Sequence, residues 1–64
     1  MNENLFVTEK RAAEMLGLSP RTLLQWRLRG DGPIPHRFGR AVRYALADID
    51  EFAARSRTSA GDAK

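Results

Sequence analysis

SPRTLLQWRLRGDGPIPHRFGRAVRY, residues 19–44, carries a helix start, a helix stop, a stiff loop and a short hairpin in that order. Ser19 offers a side-chain oxygen to the free N–H groups of a first helical turn. Pro20 fits the first helical position because no donor is needed there, and Gly30 ends the run. Asp31-Gly32-Pro33-Ile34-Pro35 cannot continue a helix and makes a stiff loop. His36-Arg37-Phe38 and Val42-Arg43-Tyr44 then flank a Gly39-Arg40 turn, which predicts a hairpin.

Toward the N-terminus, Gly17-Leu18-Ser19 links this helix to an earlier one over residues 9–16. Thr8 caps that helix, Val7 and Ala12 are spaced as a hydrophobic staple, and Gly17 stops it in a left-handed conformation. Its inward stripe is Ala12, Ala13 and Leu16, flanked by Met15. Leu18 is placed to staple onto Leu23 of the second helix. A three-residue link containing Gly between two helices is the helix-turn-helix signature. Leu5-Phe6-Val7 leads in as a short apolar segment. Toward the C-terminus a last helix is predicted over 47–55, with Ile49, Phe52 and Ala53 at i, i+3, i+4 as its buried stripe. Asp48, Asp50 and Glu51 lie near its positive end and Arg55 near its negative end, which suits the macrodipole.

The expected fold is therefore a small, mostly α, α+β domain over residues 1–55: a winged helix-turn-helix with two N-terminal helices, a β-hairpin wing and a C-terminal helix. Its expected core is Leu16, Leu23, Trp26, Phe38, Ile49 and Phe52. Residues 1–4 are expected to be loose and 56–64, SRTSAGDAK, a disordered tail. A chain of 64 residues buries only ~60% of its unfolded surface, so each large apolar side chain matters.

Charge is unevenly spread. Residues 19–44 hold six arginines against one acid, Asp31, whereas the rest of the chain is net acidic; the overall +3 conceals this. Such asymmetry on one helix and one hairpin is a nucleic-acid footprint. With no cysteines, a disulfide framework and a Cys-based zinc site are excluded, which fits a reducing cytoplasm. The single histidine, His36, cannot form a metal site alone and has no neighbours in sequence that point to a catalytic triad. No apolar run approaches the ~18 residues of a membrane span, and MNENLFV has no basic lead followed by a long apolar stretch. The expectation is a cytosolic protein that is not an enzyme and needs no cofactor or metal.

Placing the second helix at 100° per residue puts Leu23 and Trp26 inward, with Leu24 and Arg27 at the border. Arg21, Thr22, Gln25, Leu28 and Arg29 face outward. Arg grips guanine O6/N7 and Gln grips adenine N6/N7 bidentately, so this face suits major-groove readout; Thr22 or Leu28 is placed to meet a thymine methyl. Trp26 is read as core rather than as a base-stacking residue. The wing arginines are Arg37, Arg40 and Arg43. Arg40, at the turn, is placed to enter a minor groove, where negative potential attracts arginine.

TEKRAAEMLGLSPRTLLQWRLRGDGP and RFGRAVRYALADIDEFA together resemble the excisionase-type winged helix-turn-helix proteins, related to the MerR DNA-binding domain and the small AlpA-type phage regulators. The resemblance covers about residues 5–54. It rests on L-G-[hydrophobic]-S-x-x-T-[hydrophobic]-x-x-W at Leu16 to Trp26, on the wing stretch from Gly39 and Arg40 to Arg43 and Tyr44, and on D-[hydrophobic]-[acidic]-x-[aromatic] at Asp48 to Phe52. Two residues depart from the pattern: Arg11 replaces an acidic residue, and Ala45 stands where a capping Ser or Thr is common.

The resemblance implies a second helix in the major groove of double-stranded DNA and a wing in the adjacent minor groove. On this chain the base-contacting positions become Arg21, Thr22, Gln25 and Leu28, with Arg40 on the wing. It also implies a bacterial, nucleoid-associated setting and one of two roles. A recombination directionality factor bends DNA so that an integrase excises a mobile element, with an integrase partner and cooperative self-association on DNA. A transcriptional regulator of a phage or integrated element uses the same surface. A third reading, a protein-interaction adaptor, would turn the basic face toward an acidic partner. Excision is favoured among the three.

Overall fold

The computed structural model describes residues 5–57. Within them the order is β1 (Phe6–Thr8), α1 (Glu9–Leu16), α2 (Pro20–Arg29), β2 (Pro35–Phe38), β3 (Ala41–Ala45) and α3 (Leu46–Arg55). This is a small α+β winged helix-turn-helix. The expectations for residues 1–4 and 58–64 fall outside the described residues.

The helix boundaries follow from their caps. Thr8 accepts from the Arg11 N–H, and Ser19 accepts from the Thr22 N–H at 3.1 Å. Gly17 (φ 72°) and Gly30 (φ 83°) end α1 and α2 in the left-handed region. Each is followed by an N–H that reaches back into the last turn: Leu18 to the Ala13 carbonyl at 2.9 Å, and Asp31 to the Trp26 carbonyl at 2.7 Å. α3 begins at Leu46, one residue earlier than expected, and Ala45 gives it no side-chain cap. Ser56, expected in the disordered tail, closes α3, its N–H and Oγ both donating to the Phe52 carbonyl.

The hairpin is joined by a third strand. Leu5-Phe6-Val7, read from sequence only as an apolar lead-in, contributes β1, which pairs antiparallel with β3, so the sheet order is β1-β3-β2. The register pairs Val7 with Tyr44 and Arg37 with Val42, and Phe38 with Ala41 across the two-residue Gly39-Arg40 turn. Gly39 (φ 63°) supplies the positive φ that a two-residue hairpin turn requires, and Arg40 does not share it.

The core is Ala12, Ala13, Leu23, Tyr44 and Ile49, against which Val7, Leu16, Trp26, Val42 and Leu46 pack. Small Ala12 and Ala13 let α1 approach α2 and the sheet closely. Leu23 and Ile49 are buried as expected, while Leu16, Trp26 and Phe52 are half-buried, the Phe52 ring 5.9 Å from that of Trp26. Two expectations fail. Phe38 is 52% exposed, because it pairs with Ala41 on the sheet face opposite Tyr44, where it meets Phe6 edge-on at 5.3 Å. Ala53 is exposed, since α3 turns Leu46 and Ile49 inward instead. Tyr44, outside the expected core, belongs to it. As the centre of a three-stranded sheet it is covered on both sides, and it is fully buried.

Candidate nucleic-acid interface

On α2 the inward side chains fix which residues face out. With Leu23 buried and Trp26 half-buried, Arg21 and Gln25 are exposed, and neither side chain forms a hydrogen bond or ion pair among the described residues. Thr22 lies on the flank, half-buried, its Oγ1 3.0 Å from Ser19 Oγ. The hydroxyl is thus engaged by the cap, which leaves the methyl as the part free for a partner. Leu28 is 73% exposed and lies beside the hairpin, where it lines a cleft with Pro35, Arg37 and Val42. Arg29 turns the other way, its Nε 3.3 Å from the Asp31 carboxylate, with both side chains largely exposed. Such a surface pair is worth ~0–1 kcal/mol and holds Arg29 only loosely.

Arg27 does not belong to the exposed basic set. Its Nε and Nη2 donate to Glu9 at 2.7 and 3.2 Å, and Tyr44 Oη donates to the same carboxylate at 2.8 Å. The hydrogen bond from Arg27 holds the Glu9 carboxyl below its ordinary range despite partial desolvation. Burial, then the bond to Glu9, pushes the Tyr44 phenol upward. This three-residue tie fixes α2 against α1 and β3, so it orients the outward face of α2. A signal was visible in sequence: Arg27 lies one turn beyond Leu23, at the border of the inward stripe.

The three wing arginines separate. Register and strand alternation put Arg37 and Val42 on the face shared with Tyr44, toward α2. Arg40 is exposed at the tip. Arg43 pairs with Thr8 and His36 on the opposite face, half-buried, and donates to its own neighbour's carbonyl, Val42, at 2.8 Å. His36 Nε2 stands 3.0 Å from the Asp48 carboxylate, and its ring lies beside Phe6 and Phe38. Asp48 therefore ties α3 to the hairpin.

What these elements present is an α-helix with Arg and Gln outward and, beside it, a basic hairpin tip. The helix-turn-helix domain family matches the chain over residues 6–57, from β1 through α3. The chain belongs to that family, and it is a DNA-binding helix-turn-helix domain; sequence-specific DNA binding is the activity that this membership supports. No curated protein matches it. No helix among the described residues is long and apolar enough to cross a membrane.

Proposed function

We propose that the protein is an excisionase, a recombination directionality factor that binds and bends double-stranded DNA so that an integrase excises a mobile element. The observation that carries the DNA-binding part is the exposed, unpaired alignment of Arg21 and Gln25 on α2, with Arg40 at the neighbouring hairpin tip. α2 enters the major groove with Arg21, Gln25 and the Thr22 methyl toward base edges. Arg40 enters the minor groove, while Arg29, beside Asp31, lies at the margin of this surface and Arg43 lies on the opposite face of the sheet.

Support for the excision role comes from scale. A single module buries only ~600–1,000 Å² on DNA, the low end for a specific protein–DNA interface. Excision meets this limit by cooperative binding to adjacent sites, with side-to-side contacts and a cumulative bend. The test is a footprint and a recombination assay with the full chain. Tandem protection over two or more helical turns, bent DNA and a shift of a cognate recombinase from integration to excision are expected. An isolated, unbent footprint over a promoter with no effect on recombination would replace excision by transcriptional control through the same surface.

A further inference from the structure

Between α2 and the hairpin lies a cleft lined by Arg27, Leu28, Pro35, His36, Arg37 and Val42. When a helix occupies a major groove and a hairpin tip the adjacent minor groove, one sugar–phosphate strand separates the two. That strand has to cross the space between the two elements. We infer that this cleft is a phosphate site: it seats a backbone phosphate of the separating strand, with Arg37 as the charged ligand and Arg27 as a second donor. The inference rests on the DNA-binding reading above and deepens it.

The cleft is built for an anion that is not a base. Leu28, Pro35 and Val42 form apolar walls, so the charged donors that line the cleft are the Arg27 and Arg37 guanidinium groups. Arg37 is exposed, lies on the α2-facing side of the sheet and has no acidic partner among the described residues. Arg27 spends its Nε/Nη2 edge on Glu9. A guanidinium carries five N–H donors in a fixed fork, and Arg27 lines the cleft, so donors beyond those on Glu9 are available to a phosphate oxygen. Because Glu9 already balances Arg27, the uncompensated charge of the cleft is that of Arg37. His36, held through Nε2 by Asp48, borders the cleft as a wall.

The test uses the full chain and a duplex it selects from a random pool. Each phosphate neutralised contributes about −0.9 to the slope of log K against log salt. Arg37→Ala, and Arg37→Gln as a variant that keeps side-chain length on the strand, should each make the slope shallower by about 0.9 and weaken all sequences alike. Base preference should not change. A single uncharged methylphosphonate, walked along the strand between the helix and wing footprints, should weaken the unmodified protein at one position and leave Arg37→Ala unaffected there. An unchanged slope, altered base preference or additive losses would overturn the phosphate site while leaving DNA binding intact. A wild-type chain that binds no duplex in a salt-dependent way would overturn both.

Discussion

Arg27 Nε stands 2.7 Å from Glu9 Oε2, a contact that spans 18 positions of chain and ties the second helix to the first turn of the first. Only about a sixth of the Arg27 side chain and a fifth of that of Glu9 remain exposed. The pair is bidentate, and Tyr44 supplies a third bond to the same carboxylate. Glu9→Ala would strand a guanidinium and a buried phenol. Loss of one partner of a fully buried pair costs ~3–5 kcal/mol, so at this partly wetted site about 2 kcal/mol is expected. Glu9→Gln, which keeps an acceptor, should cost less. Chemical denaturation of the two variants checks the order; equal, small losses would show that the tie contributes little.

The same carboxylate sets an acid limb. Glu9 titrates below its ordinary 4.5 in the folded protein, so the folded state binds fewer protons than the unfolded chain near that pH. Its stabilisation is complete above the unfolded value and declines as pH falls through the folded one. Tyr44 gives the opposite limb: its phenol is raised above 10.0, so stability falls as pH climbs past the unfolded value and the unfolded chain alone loses its proton. Melting temperatures from pH 3 to 11 should flatten on the acid side in Glu9→Gln and on the alkaline side in Tyr44→Phe. Unaltered limbs in both variants would separate this network from the pH dependence.

Gly32 offers a test of the loop that follows α2. Its φ is +80°, and a Cβ built there would lie 3.1 Å from Trp26 Cε3. Gly32→Ala therefore meets backbone strain and a side-chain conflict together, and about 1–3 kcal/mol of destabilisation is expected. Trp26→Leu introduced alongside should recover the steric part but not the conformational part. Full additivity in that double-mutant cycle would mean that the ring shifts freely.

Local chemistry made the helices legible: Thr8, Gly17, Ser19, Pro20 and Gly30 each act within a few residues, and the structure places both helix-turn-helix elements where those signals put them. What was not legible depended on distant partners. Three residues, Phe6–Thr8, are too few to announce a strand, and β1 exists because β3 offers it an edge. Without β1 the face to which Phe38 and Tyr44 belong could not be told apart, and a one-residue difference in alternation exchanges core for surface. The split of Arg37 from Arg43 has the same origin. The wheel puts Arg27 at the border of the inward stripe but cannot supply its partner, because Glu9 lies on another helix.

That exchange predicts contrasting variants on the sheet. Phe38→Ala removes a half-exposed ring whose neighbours are Phe6 and His36, so about 1 kcal/mol should be lost and the fold retained. Tyr44→Ala removes a fully buried ring and its bond to Glu9; ~3–5 kcal/mol is expected, enough to unfold most of a domain near the lower end of ordinary stability. Far-UV circular dichroism against temperature distinguishes them. The reverse ranking would contradict the β3 register.

Readout and affinity should separate along the DNA-facing surface. Arg21 and Gln25 are four residues apart on the exposed side of α2, each without a competing partner among the described residues, so each is free to form a bidentate pair with a base edge. Arg21→Ala and Gln25→Ala should each cost ~1–3 kcal/mol on the selected site and relax preference at one or two base pairs, at guanine for the first and adenine for the second. Arg40→Ala should leave those preferences unchanged and weaken binding most where the minor groove is narrow and A·T-rich, because its attraction is to groove potential rather than to a base pattern. Selection from a random duplex pool with all three variants reads both quantities at once. Unchanged preferences for Arg21→Ala and Gln25→Ala together would move recognition off α2, whereas a base-specific change in Arg40→Ala would make the hairpin tip a reader in its own right.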